Sequence, residues 1–178
     1  DSLDAEEIIL LPNNGNVIMA AQQAASLAMG KTVRVVPTKT VQQGISALLT
    51  YMDLREEGSL DEVVEGMTES RSFIKSAEIT VATRNAIIND IPVQEGQYIG
   101  LLDGKLVHAG GSDLEIVQHL LQSARAEEHE LATLYYGNGH QQADAELLVE
   151  ALSESYPDLE FEIVYGGQPL YPYLISIE

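Results

Sequence analysis

Residues 7–36 carry the pattern that most narrows the fold. EIILL at 7–11 is a short apolar run closed by Pro12, as in a buried strand. After Asn13-Asn14-Gly15-Asn16, the segment 17–29 places Val17, Ala20, Ala21, Ala24 and Ala28 at helical spacing. Asn14 or Asn16 is available as its N-cap and Gly30 as its stop. TVRVV at 32–36 is short, β-branched and closed by Pro37. A strand, a helix and a strand in that order predict two parallel neighbours joined by a crossover.

The alternation continues. Thr38 to Met52 predicts a helix with Ile45, Leu48, Leu49 and Met52 on one side, broken at Gly58 and Ser59. Ser59 and Glu62 predict a capping box heading a helix from Leu60 to about Ile74. Residues 77–83 predict a strand, and 89–96, with Asn89-Asp90, Pro92 and Gly96, a turn. Asp103-Gly104 between 98–102 and 105–109 predicts a hairpin. Ser112 or Asp113 heads a helix to about Ala126; 131–136 is a strand, 141–155 a helix, and 160–165 and 171–177 the last two strands. The expected class is α/β, in two lobes with mixed, largely parallel sheets flanked by helices. The first lobe, βαβαα, is expected over 1–76 and a second, hairpin-led lobe over 77–178.

Charge narrows the partners. Nine Lys and Arg against 28 Asp and Glu leave −19. That field repels phosphate backbones and anionic lipid surfaces, so neither nucleic acid nor direct membrane insertion is expected. A basic protein surface is the natural complement, and ATP would need a bound cation or a local basic pocket. The chain has no Cys, which removes disulfides, thiol catalysis and thiolate metal sites and agrees with a cytoplasmic setting. No apolar run reaches the roughly 20 residues of a membrane span, and no signal-peptide pattern appears. The opening residue, Asp1 rather than Met, reads as a piece of a longer protein or a processed product.

Motifs for catalysis are not found. His108, His119, His129 and His140 form no i, i+3 or i, i+4 pair, so no metal site is expected. G-x-S-x-G and the phosphate-binding G-x-x-x-x-G-K-[ST] are absent. Gly137-Asn138-Gly139 starts like a dinucleotide fingerprint, but Gln142 stands at the third glycine, leaving a turn and cap. Two segments keep two readings. Asn13-Asn14-Gly15-Asn16 is either a capped turn or an anion site of helix N–H groups and Asn amides. The segment from Gly166 to Tyr173 is either a stiff connection with core tyrosines or a partner surface. In the second case Gly166, Gly167, Gln168, Tyr171 and Tyr173 are the contacts.

Several stretches together resemble a known family. ILLPNNGNVIMAAQQAA, VRVVPTKTVQQGISALLTY, YIGLLDGKLV, YYGNGH and the ending VYGGQPLYPYLISIE resemble the C-terminal domain of the bacterial fatty acid kinase ATP-binding subunit. Such proteins are also called dihydroxyacetone (glycerone) kinase-like or DegV-related. The resemblance spans nearly the whole chain and implies a DegV-like fold. It also implies a division of labour. An N-terminal kinase domain binds ATP and Mg²⁺, a middle domain follows, and this C-terminal domain takes part in recognising a separate DegV-type carrier of the fatty acid. The acyl phosphate made feeds phospholipid synthesis. On this domain the resemblance implies no catalytic residue and no cofactor; its partners are the carrier and the parent's kinase and middle domains.

Residue by residue, Asn13 and Asn14 stand where the carriers have a Ser-Ser turn. Pro37-Thr38 and Gly44 stand at their Asp-Ser and Gly-rich helix start. Gly58-Ser59-Leu60 and Leu102 to Lys105 match their helix entry and hairpin. Tyr165 to Pro169 stands where the carriers have a His near a Gly-Pro-Gly turn, and holds no His. The resemblance therefore implies a lipid-carrier fold without a firm grip on a fatty carboxylate, since a buried carboxylate needs donors. The alternative reading is a small-ligand site between the lobes, for a lipid or a phosphorylated metabolite. It would lie near Asn13, Asn14, Asn16, Thr38 and Gly44, with Arg34 or Arg84 as an anion partner.

Overall fold

The computed structural model describes residues 4–178. Glu7–Leu10 forms β1 and Thr32–Val35 forms β2, paired in parallel with Glu7 opposite Thr32 and Leu10 opposite Val35. The crossover between them is helix α1, Ile18–Ser26, entered through a 3-10 turn at Gly15–Val17. Helix α1 stops before Gly30, which sits beyond it in the left-handed region at φ 73°.

Helix α2, Val41–Leu54, starts later than the sequence suggests because Thr40, not Thr38, is its N-cap. The Thr40 hydroxyl accepts the Gln43 N–H at 3.2 Å, the usual cap geometry. Helix α3, Leu60–Phe73, opens on the expected capping box of Ser59 and Glu62. The apolar side of α2 is not its most buried side. Gln42, Gly44 and Ala47 face inward, while Leu48, Leu49 and Met52 are exposed, Met52 by 61%. Two different neighbours set the inward side: the Asn13 carboxamide fills the space over Gly44, and Ala47 packs with Val36, Val63 and Met67. At Gly66 of α3 a Cβ would come within 2.6 Å of Leu54, so small residues sit where the helices meet. Val36, Ala47, Val63 and Met67 form this small core, with Ile9, Leu11, Tyr51 and Val64 around it.

The remaining elements are β3 (Lys75–Val81), β4 (Ala86–Ile88), β5 (Ile91–Val93), β6 (Tyr98–Leu102), β7 (Lys105–Ala109), α4 (Asp113–Ala124), β8 (Leu131–Tyr136), α5 (Gln142–Ser153), β9 (Glu160–Tyr165) and β10 (Tyr173–Ile177). Six strands form one sheet in the order β7-β6-β3-β10-β8-β9. The class is α/β with a mixed sheet, as expected. The expected predominance of parallel pairing does not hold in this sheet, where only β8 and β9 run parallel, joined through α5. The other pairs are antiparallel because β3, β6 and β7 follow one another without a crossover helix and β10 returns between β3 and β8.

Two hairpins use two-residue turns with both φ positive: Asp103-Gly104 at 49° and 77°, and Asn89-Asp90 at 51° and 64°. The second joins β4 to β5, a small hairpin where the sequence suggested only a turn. Residues of β3, α4, β8, α5 and β10 build the larger core, among them Ile79, Ile116, Leu120, Leu134 and Ile175. The polypeptide forms two units, one ending at Ile74 and the other Lys75–Glu178. Among the described residues, no helix is long and apolar enough to cross a membrane.

Candidate functional site

Of the residues singled out in the first unit, the structure brings together Asn13, Thr38 and Gly44. Asn13 follows Pro12 at φ 52°, a left-handed conformation that Asn tolerates better than most side chains. Its backbone N–H donates to the Thr38 hydroxyl at 3.0 Å. Thr38 is fully buried between β2 and α2. The Asn13 carboxamide lies over the first turns of α2, where a Cβ at Gly44 would collide with it. Glycine at 44 is therefore required by close approach. Asn13 Oδ1 is buried there with no hydrogen-bond partner.

Asn14 does a different job. Its side chain accepts the Asn16 N–H at 2.9 Å and caps the 3-10 turn. Asn14 and Asn16 are exposed. The sequence reading missed two participants at this place. Lys39 donates its backbone N–H to Gln43 Oε1 at 2.8 Å, and its side chain passes beside Gly15. The pattern Thr40-Val41-Gln42-Gln43, a Thr with Gln at the third helical position, was the available signal. The result is a polar turn beside the start of α2, with one unfilled acceptor and one exposed cation. Arg34 is engaged elsewhere, its Nε donating to Asp61 Oδ1 at 3.0 Å.

The connection from Gly166 to Tyr173 is a pinned segment of the second unit. Gly166 and Gly167 donate their N–H groups to the Tyr136 carbonyl at 3.0 and 3.3 Å. The Gln168 side chain donates Nε2 to the Tyr135 carbonyl at 2.8 Å. Gly137 and Asn138, in the turn after β8, donate to the carbonyls of Pro172 and Gln168 at 2.8 and 2.9 Å. A Cβ at Gly137 would collide with the Tyr171 carbonyl, which accounts for that glycine without any nucleotide. Tyr173, expected as a surface contact, is 1% exposed and belongs to the core; this corrects that expectation. Gly166 is exposed, and Gly167, Gln168 and Tyr171 are half-buried. The large side chains that do project here are Tyr165 and Leu170.

Beneath this connection sits a small titratable cluster. The His140 ring lies 5.4 Å from that of Tyr173. Burial pushes the Tyr173 phenol up to about 12, and Asp113 and Asp144 add to the shift. Burial also raises Asp113 above the usual carboxylate value, against the pull of His140. A phenol held this high stays neutral and serves packing. Among the described residues, no group of three or more His, Asp or Glu is placed to hold a metal ion.

Comparison with known proteins gives these observations a setting. Residues 1–178 match the FakA-like C-terminal family, the C-terminal domain of fatty acid kinase subunits of the FakA type. An uncharacterised protein of Staphylococcus aureus strain USA300 is 38% identical over 170 residues, covering 96% of this chain and 30% of its own. Protein YloV of Bacillus subtilis is 37% identical over 177 residues, covering 99% of this chain and 31% of its own. The chain thus spans about a third of the length of these relatives. Among solved structures, the Streptococcus pneumoniae fatty acid kinase (Fak) B3 protein loaded with linoleic acid superposes with a TM-score of 0.65 at 15% identity. It covers 98% of this chain and 72% of that one. A fatty-acid-binding DegV family protein from Thermus thermophilus superposes with a TM-score of 0.60 at 18% identity, again over 98% and 72%. At such identities these neighbours establish the fold, and the fold is that of the DegV proteins. With the family model spanning every residue, the chain belongs to the FakA-like C-terminal family of fatty acid kinases.

Proposed function

We infer that this domain is the non-catalytic C-terminal part of a fatty acid kinase subunit, of the glycerone kinase-like type, and recognises the DegV-type carrier that presents the fatty acid. A kinase domain elsewhere in the longer polypeptide would use ATP and Mg²⁺ to make the acyl phosphate for phospholipid synthesis. The observation that carries this reading is the whole-chain match to the C-terminal domain of the kinase subunit family, on a carrier-like fold. Chemistry supports it. Asn13 offers a left-handed turn and a carboxamide packed on Gly44, and the Gly166–Tyr173 connection has no His. The acidic charge supports a basic docking partner, with Glu146 and Glu150 on α5 and Glu160 and Glu162 on the edge strand β9 all exposed.

The test is capture of the organism's purified carrier by this chain at low and at high salt. Binding that falls steeply with salt is expected, because exposed charges are screened. No capture at either salt overturns the recognition role, and salt-independent capture overturns the electrostatic docking. A second reading keeps a small anionic ligand, a lipid or a phosphorylated metabolite, at the Asn13 to Asn16 turn, where Asn14 and Asn16 are exposed and the Lys39 side chain passes beside Gly15. Native mass spectrometry of the purified chain decides it: a stoichiometric adduct favours the ligand, and a bare mass removes it.

A further inference from the structure

We propose that the carrier docks on the face of the six-stranded sheet opposite α4 and α5, over β10, β8 and β9, through a segment that holds Lys or Arg beside apolar side chains. This rests on the carrier-recognition reading above and adds the surface and its chemistry. Helices α4 and α5 both pack on one face, where Ile79, Ile116, Leu120, Leu134, Leu148 and Ile175 join the core. Strand alternation sends the intervening residues to the other face. There the β4–β5 hairpin covers only the β6 and β7 end, with Val93 packed among Ile99, Leu101 and Leu106. Among the described residues, no helix or hairpin of this unit packs over β10, β8 and β9 on that side.

The register sorts that face into rows. Ser76, Ser176, Thr133 and Glu162 stand opposite one another across β3, β10, β8 and β9. Asp103 extends the row, its carboxylate accepting the Ser76 N–H at 3.1 Å. The next row runs Leu101, Glu78, Leu174, Tyr135 and Val164. On the far side of the first row, Glu160 stands opposite Leu131, and Glu178 donates its N–H to the Leu131 carbonyl at 2.9 Å. An apolar row thus lies beside hydroxyls and carboxylates. Glu78, Asp103, Glu160, Glu162 and Glu178 make the face negative, while Lys75 and Lys105 alternate to the helix-covered side.

An acidic surface alone could simply be solvated, but two features call for an occupant. Ser176 Oγ is buried and completes no hydrogen bond, though the Tyr135 phenol approaches it. Apolar side chains stand bare at the border: Val164 is 40% exposed, and Leu170, whose carbonyl accepts the Thr80 hydroxyl at 3.2 Å, is 73% exposed. Burial, then a neighbouring carboxylate, also holds Glu78 and Glu178 above the usual value, so a cation brought close would be favoured. Permanent cover by the same polypeptide is disfavoured, because obligate contacts are more apolar than this face. A second copy laid face to face would oppose the same carboxylates. A carrier that comes and goes with its fatty acid calls for a polar, exchangeable interface, and Lys or Arg complements this one.

The test uses the protein expressed whole from its native gene and the organism's purified carrier, at low salt. Glu160→Lys with Glu162→Lys should weaken carrier binding by at least about tenfold. Glu146→Lys with Glu150→Lys makes the same change in net charge on the exposed side of α5, and should weaken it by less than about threefold. Equal loss in both pairs, or no loss in the first, overturns this surface and leaves carrier recognition standing. No binding by the unaltered protein overturns recognition, and this surface with it. Carbodiimide labelling of the unaltered protein reads the same face without any substitution. Glu160 and Glu162 should lose label when the carrier is added, while Glu146 and Glu150 keep it. Shielding of Glu160 and Glu162 before the carrier is present overturns the proposal. Shielding that grows with protein concentration marks a second copy, and shielding that does not marks the rest of the polypeptide.

Discussion

Asn13 and Gly44 are coupled by contact, and the coupling has a measurable sign. Gly44 sits inside a helix, where alanine is normally preferred by about 1 kcal/mol. Here the carboxamide of Asn13 occupies the space of the new methyl group. Gly44→Ala should therefore destabilise the protein in urea titrations. In the Asn13→Gly background, which keeps the left-handed backbone, the same change should stabilise by about 1 kcal/mol. Additive effects would show that the two do not share this space. Glu78 of β3 gives a second residue-level test. Burial, and then the neighbouring Asp103, holds its carboxyl above the usual value. The folded state thus binds this proton more tightly, so the linked stability is complete below pH 4.5 and is lost as pH rises through the folded value. Glu78→Gln should raise the melting temperature at neutral pH, with the difference fading below pH 4.5; a constant difference would mean the charge is not the cause.

Elements differ in how far the sequence discloses them. The Ser59–Glu62 box was legible because both of its halves lie in one turn; at the head of α4 the sequence left Ser112 or Asp113 as the cap, and Ser112 closes a second box with Glu115. Ser112→Ala should cost about 1 kcal/mol at neutral pH. The Ser112 backbone and hydroxyl hold the Glu115 carboxyl below its usual value. Its contribution is therefore present above pH 4.5 and lost as pH falls through the folded value, so the Ser112→Ala penalty should shrink in acid denaturation curves. The buried side of α2 was not legible. Periodicity marks an apolar stripe, but Leu48, Leu49 and Met52 say nothing about which neighbour comes close; the Asn13 carboxamide fills the space over Gly44, and Ala47 packs with Val36, Val63 and Met67. Strands β4 and β5 escaped notice because each is very short and Pro92 interrupts the pattern. Of the candidate site, Asn13 was legible in the turn between a strand and a helix, while Gly44 came from likeness to carriers. The role of Thr38 as acceptor for the Asn13 N–H is tertiary and has no local sequence signal.

At the scale of the molecule the two units are unequally built. The second has a large core spanning β3 to β10; the first relies on Val36, Ala47, Val63 and Met67. Smaller cores bury a smaller share of their chain and open more readily. Amides in α2 and α3 should exchange faster than those in α4 and β10, read by hydrogen exchange under native conditions. Uniform protection would show that the chain opens as one cooperative block. All four methionines lie in the first unit. Met19, Met29 and Met52 are exposed by 81, 86 and 61%, while Met67 lies in the core. Mild peroxide should convert the first three to sulfoxides and spare the fourth, because access governs the reaction. Each sulfur thus works as a native footprinting probe: whichever thioether stops oxidising when a partner arrives reports the surface being covered, with no label introduced.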